Sequence, residues 1–122
     1  MSLRILAVDD SLTMRELLRQ ALTESGFDVV LAEDGIDALE RLQTTDPDLI
    51  LTDLNMPRMD GFGLIAAVRG GNRAARVPIL VLTTESAQTL KERARAAGAT
   101  GWICKPFDEV SLVSTIRRVA AV

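Results

Sequence analysis

Two hydrophobic patterns take turns along this chain. Runs rich in Leu, Ile and Val occupy Arg4–Val8, Val29–Ala32, Leu49–Thr52, Ile79–Thr83 and Gly101–Cys104. Short runs of this kind, with no polar face, are what strands covered on both sides of a parallel sheet look like. Between them the spacing becomes helical. Met14, Leu17, Leu18, Ala21 and Leu22 recur at i, i+3, i+4, i+7 and i+8, and Leu112, Val113, Ile116, Val119 and Ala120 repeat a similar stripe. Ile36, Leu39 and Leu42 mark a second helix, Phe62, Ile65 and Val68 a third, and Leu90, Ala94 and Ala97 a thin fourth. Five strand-then-helix units predict an α/β domain with helices on both faces of a doubly wound parallel sheet.

Turn chemistry fits this outline. Asp34 stands where the second helix needs an N-cap, and Thr13-x-x-Glu16 reads as a capping box for the first. Gly26 and Gly98 follow helices where a left-handed residue is wanted, and Gly70-Gly71-Asn72 ends the third helix. Pro78 opens the fourth strand, where a missing N–H is tolerable. With no repeat, linker or low-complexity tract, residues 1–122 are expected to form a single domain.

Composition removes whole classes of chemistry. Histidine and tyrosine are absent, which excludes serine–histidine triads, histidine zinc sites, histidine general bases and tyrosine nucleophiles. The single cysteine, Cys104, cannot form an internal bridge and reads as a small buried strand residue. No secretory or spanning segment precedes Asp9, so a cytoplasmic protein without membrane insertion is expected. The net charge of −3 is unevenly spread: Met1–Glu85 carries 8 basic and 14 acidic residues, and Ser86–Val122 carries 6 basic and 3 acidic. Arg93, Arg95, Arg117 and Arg118 suit the last turns of two helices, where cations complement the macrodipole. With only Trp102 and Phe107 nearby, they do not form the basic, aromatic-laced patch of a nucleic-acid binder.

Right-handed crossovers place one set of loops at the carboxyl ends of all the strands, where ligands of such sheets bind. No glycine-rich phosphate loop follows the first strand; Asp9-Asp10 does. Asp53 ends the third strand, Thr83 the fourth, and Lys105 follows the fifth. In a flavodoxin-like strand order of 2-1-3-4-5 the first and third strands are neighbours, so three carboxylates meet. Their repulsion calls for a proton or a hard divalent cation, and an oxygen-only set points to Mg²⁺. Lys105 could pair with one phosphoryl oxygen and the Thr83 hydroxyl could donate to another. Taken singly, Asp10 could cap the first helix, Thr83 could cap the next, and Lys105 could be a solvated charge. Taken together, these residues are the parts for phosphoryl transfer onto an aspartate.

Val8-Asp9-Asp10-Ser11, Leu51-Thr52-Asp53-Leu54-Asn55-Met56-Pro57, Asp60-Gly61, Val81-Leu82-Thr83-Thr84-Glu85 and Lys105-Pro106-Phe107 resemble the receiver domain of two-component response regulators over essentially the whole chain. Within that family the likeness is to stand-alone, CheY-like receivers of chemotaxis. The resemblance implies that Asp53 accepts phosphate from a phosphohistidine on a sensor histidine kinase or phosphotransfer protein. It further implies that Asp10, Asp53 and the main-chain carbonyl of Asn55 hold Mg²⁺, with Asp9 acting through water. Thr83 and Lys105 match the switch hydroxyl and the phosphoryl-binding lysine, and a cis Lys105–Pro106 bond is implied. Where the family commonly has Tyr or Phe, this chain has Trp102, either a switch side chain or a fixed anchor on the fifth strand.

The expectation is a phosphorylation-controlled binding module that turns over no separate metabolite. It would engage a downstream protein through the face of the fourth helix, fifth strand and fifth helix, including Lys91 and Arg95. The alternative is a small aspartate-nucleophile Mg²⁺ phosphatase of the haloacid dehalogenase type. Such enzymes carry a second Asp two residues after the nucleophile, where this chain has Asn55. A flavodoxin-type electron carrier fits poorly, because acids stand where a phosphate would lie.

Overall fold

The computed structural model describes residues 2–71 and 75–120; Asn72, expected at the end of the third helix, lies outside them. Strands β1 (Arg4–Val8), β2 (Asp28–Ala32), β3 (Leu49–Thr52), β4 (Ile79–Thr83) and β5 (Gly101–Cys104) alternate with helices α1 (Leu12–Glu24), α2 (Gly35–Leu42), α3 (Gly61–Arg69), α4 (Gln88–Ala97) and α5 (Glu109–Ala120). The strands form one parallel sheet in the order β2-β1-β3-β4-β5. β2 starts one residue earlier than its apolar run, because the Asp28 N–H still donates to the Leu3 carbonyl at 2.9 Å.

Side chains alternate across the sheet and divide the core into two layers. Ile5, Ala7, Leu49, Leu51, Leu80 and Leu82 pack with Leu18 and Leu22 of α1 and Leu112, Val113 and Ile116 of α5. Leu6, Val8, Ile50, Ile79 and Val81 face the other way, onto Ala38 of α2, Leu64, Ile65 and Val68 of α3, and Ala94 of α4. The three central strands are therefore apolar on both faces, as their unbroken runs require. α4 buries only Ala94, the thin stripe expected.

Four sequence-based expectations change here. The N-cap of α1 is Ser11, whose hydroxyl accepts from Met14 N–H at 3.2 Å; Thr13 lies inside the helix and Glu16 pairs with Arg19 at 2.8 Å, so neither the Thr13–Glu16 box nor an Asp10 cap forms. Leu17 sits at the flank of the α1 stripe and stays 48% exposed. Cys104 is exposed, because it ends an edge strand beyond the reach of the covering helices. Arg93 is likewise not in the last turn of α4; its guanidinium stacks 3.9 Å from the Phe62 ring centroid of α3. By contrast Asp34 caps α2, and Gly26 and Gly98 are left-handed at φ 91° and 117°.

α4 is held unequally at its two ends. Its N-cap, Ala87, supplies no side-chain hydrogen bond. Its C-terminal end is stitched by Arg69 of α3, whose Nε and NH2 donate to the Gly98 carbonyl at 3.0 and 2.8 Å while NH1 donates to the carbonyls of Ala75 and Val77 at 3.0 and 2.6 Å. Desolvation pulls the Arg69 pKa below its ordinary value, and the three carbonyls are its compensation. Replacing Arg69 with Met keeps the stem and strands those acceptors. The expected cost is about 1–3 kcal/mol, read as a lower urea midpoint with an unchanged slope; an unaltered midpoint would show that the stitch contributes nothing net.

Candidate functional site

The sheet's hydrogen-bond ladder continues one residue past its strands and fixes the residues that follow them. Asp9 N–H donates to the Ala32 carbonyl at 3.1 Å, Asp53 N–H to Val8 at 3.0 Å, and Lys105 N–H to Thr83 at 2.8 Å. Three side chains named from sequence thus leave the carboxyl edge from backbone as rigid as the sheet itself. Asp10, one residue further along, is exposed, whereas Asp9 and Asp53 are buried.

Asp9, Asp10 and Asp53 each offer a carboxylate oxygen, and these oxygens lie within 4.8 Å of one another. Lys105 Nζ bridges two of the carboxylates, donating to Asp9 Oδ2 at 2.7 Å and Asp53 Oδ2 at 2.9 Å. Burial by itself would depress the Lys105 pKa, but hydrogen bonds and charge from Asp9 and Asp53 outweigh it and hold the ammonium above its ordinary value. The other oxygens are aimed by backbone: Asp9 Oδ1 accepts from Ser11 N–H at 2.9 Å and Asp53 Oδ1 from Leu54 N–H at 2.7 Å. Each buried carboxylate is therefore oriented by a main-chain donor on one side and the shared ammonium on the other.

Thr83, fully buried at the end of β4, accepts from Glu85 N–H through its hydroxyl at 3.3 Å. Trp102 lies partly buried against the α2–α3–α4 layer, and its indole N–H donates to the Glu85 carbonyl at 3.1 Å. The Asn55 amide reaches the Glu85 carboxylate at 3.2 Å. The loop after β4 is in this way tied both to the loop after Asp53 and to β5. The Lys105–Pro106 peptide bond is cis.

Two participants were not given roles from sequence. Glu85 gathers bonds from Asn55 and Trp102, which no spacing rule announces because its partners are 30 and 17 residues away. Arg15 of α1 donates to the Asp9 carbonyl at 2.7 Å; its acceptor is a main-chain group six residues back and outside the helix, so helical side-chain spacing gave no signal for it.

Aspartates facing a lysine at the carboxyl edge of a five-stranded 2-1-3-4-5 sheet define a response-regulator receiver. The chain belongs to that family: the response regulator receiver domain matches residues 5–117. It is 40% identical to the chemotaxis protein CheY1 of Helicobacter pylori strain J99 over 107 residues, 86% of each chain. It is 38% identical to the response regulator MprA of Mycobacterium tuberculosis over 117 residues, 96% of this chain and 50% of that longer protein. Among solved structures, the Vibrio cholerae chemotaxis protein CheY4 superposes with a TM-score of 0.93 at 41% identity, covering 98% of this chain and 99% of that one. The receiver domain of the sensor histidine kinase PA1611 from Pseudomonas aeruginosa PAO1, solved with a magnesium ion coordinated in its active-site cleft, superposes with a TM-score of 0.92 at 29% identity over the whole of both chains.

The site tolerates little added volume beneath Asp53. A Cβ on Gly61, the first residue of α3, would collide with the Asp53 carbonyl oxygen and lie 2.9 Å from Leu54 Cα. On Gly63 it would meet chiefly the movable Met59 side chain, at 3.1 Å. Gly61→Ala should therefore lose about 1–3 kcal/mol through overpacking, while Gly63→Ala, inside the helix, should be neutral or gain up to about 1 kcal/mol. Denaturant midpoints of the two variants check this ordering, and equal midpoints would contradict it.

Proposed function

We propose that this receiver is a phosphorylation-controlled switch in which Asp53 is the phosphoacceptor, and that it works in chemotaxis or motility signalling. The observation that carries the reading is the cluster of Asp9, Asp10 and Asp53 with Lys105 bridging two of its members. A carboxylate oxygen of Asp53 attacks the phosphorus of a phosphohistidine on a sensor kinase or phosphotransfer protein. The new P–O bond forms as the P–N bond breaks, and the departing imidazole takes up a proton. No metabolite is consumed, so the reading is of a switch and not of a metabolic enzyme.

The donor set fits a divalent cation, since the three carboxylates offer only hard oxygen ligands. Asp10, Asp53 and the Asn55 carbonyl would hold Mg²⁺, with Asp9 acting through water; the magnesium ion in the related PA1611 receiver supports this. When bound, Mg²⁺ supplies positive charge against the incoming phosphoryl oxygens. Lys105 then exchanges its bond to Asp53 for one to the phosphoryl group, and the Thr83 hydroxyl donates to another of its oxygens. Chemotaxis is supported by the likeness to the CheY1 and CheY4 proteins. Asn55, standing where a haloacid-dehalogenase-type enzyme has its second Asp, argues against the phosphatase reading.

Output is placed on the α4–β5–α5 face. Between α4 and β5 lies a cavity of about 140 Å³ lined by Lys91, Arg95 and Trp102 among others, within the segment that carries 6 basic and 3 acidic residues. That charge suits an acidic partner whose association weakens with salt.

Acetyl phosphate with Mg²⁺ should label the native chain with one acid-labile phosphate. Asp53→Asn should abolish the label and EDTA should suppress it; label persisting on the Asn variant, or multiple turnover of phosphate esters, would overturn the assignment. Beryllofluoride, a phosphoryl mimic, should change the emission of Trp102, the chain's one tryptophan, in the native protein and not in Asp53→Asn. An emission indifferent to beryllofluoride would remove Trp102 from the switch and leave it a fixed anchor.

A further inference from the structure

Arg58 adopts a φ of 64°, and among the described residues it is the one non-glycine with positive φ. The backbone closes on itself there, Met59 N–H donating to the Pro57 carbonyl at 2.7 Å in a three-residue turn that few side chains favour at its centre. The side chain at the centre of that turn is fixed by Asp34: Arg58 Nε donates to Oδ2 at 2.7 Å and NH2 to Oδ1 at 3.0 Å. The acceptor is 2% exposed and also caps α2, accepting from Asp37 N–H at 2.9 Å. The Arg58 hydrogen bonds accordingly keep the Asp34 carboxyl below its ordinary pKa. Next to this pair, Gly35 N–H donates to the Met59 carbonyl at 3.0 Å, and a Cβ on Gly35 would lie 2.8 Å from Met59 Cβ. The two loops therefore touch backbone to backbone.

These contacts join the loops that leave β2 and β3, the strands on either side of β1. The segment from Leu54 to Asp60 is thus tethered near its start by Asn55 to Glu85, and near its end by Arg58 to Asp34 and by Met59 to Gly35. Ion pairs between exposed groups contribute little, but here one partner is buried and the fork geometry is bidentate. We propose that Arg58 is a positioning residue: by clasping Asp34 it sets the path of the Leu54–Asp60 segment, and so presents the Asn55 carbonyl to a divalent cation. The inference rests on the metal reading above and adds to it a residue that acts on cation affinity through the backbone.

Calorimetric titration of the unphosphorylated chain with Mg²⁺ tests it. Arg58→Gly removes the guanidinium and suits the backbone, Arg58→Asn tolerates the same φ, and Asp34→Asn keeps a capping oxygen while losing the charge. Each should weaken Mg²⁺ binding about tenfold, as loss of groups that orient metal ligands commonly does. The double variant Arg58→Gly/Asp34→Asn should lose no more than either single change, because the two side chains act as one unit. With acetyl phosphate, the Mg²⁺ concentration for half-maximal labelling should rise by the same factor while the rate at saturating Mg²⁺ stays within about twofold of native. A clasp that only staples the fold would lower thermal stability and leave Mg²⁺ affinity unchanged, and that result in Arg58→Gly and Arg58→Asn would overturn the proposal. A native chain that neither binds Mg²⁺ nor labels on Asp53 would overturn the functional reading itself, and the positioning role with it.

Discussion

Asp9 and Asp53 are buried side by side at the end of a hydrophobic sheet, an arrangement that needs either a shared proton or a compensating cation. Lys105 is that cation. Its ammonium sits between them, and its own burial is tolerable only because both carboxylates are there. The dependence is mutual, so each of the three residues is held in the place that the other two require. The surroundings serve the same end: the extended ladder fixes their backbones, and the Ser11 and Leu54 N–H groups each donate to the carboxylate oxygen that the ammonium does not bind.

The two halves of the core carry different loads. On one side α1 and α5 press leucines and isoleucine onto the sheet. On the other, α3 does the same with Leu64, Ile65 and Val68, α2 buries Gly35 and Ala38 and half-buries Leu39 and Leu42, and α4 contributes one buried alanine. The acidic pocket therefore stands on three firmly packed central strands, and the element bordering Thr83 and Trp102 is the least anchored by apolar contact. Large buried side chains resist small displacements because interiors are close-packed; α4 has few of them to resist with. A rigid site beside a lightly held helix is the arrangement a two-state signal needs.

The strands were legible because a parallel sheet imposes continuous apolar runs, and four of the five have the limits that their runs implied. The site was legible for a related reason. Topology alone sends Asp9, Asp53 and Lys105 to one edge, whatever their side chains then do. What escaped the sequence was local or lateral. Ser11 took the cap expected of Thr13 because the helix begins immediately after the acidic pair. Cys104 lies exposed because strand identity says nothing about where the covering helices stop. Arg58, Glu85 and Arg69 draw their importance from partners on other loops, and pairs of that kind leave no periodic trace.

The stitch by Arg69 governs how α4 can respond. A helix of its length spans roughly 15 Å. Its Gly98 end is fastened to α3 by two hydrogen bonds, whereas its Ala87 end lacks a side-chain cap. A displacement that leaves this stitch intact is a swing about the fastened end, and it must be taken up where Asn55 and Trp102 hold Glu85. Its arc is widest toward Thr83 and vanishes toward the arginine, so α4 is laid out as a lever with its fulcrum at α3 and its handle beside the acidic pocket.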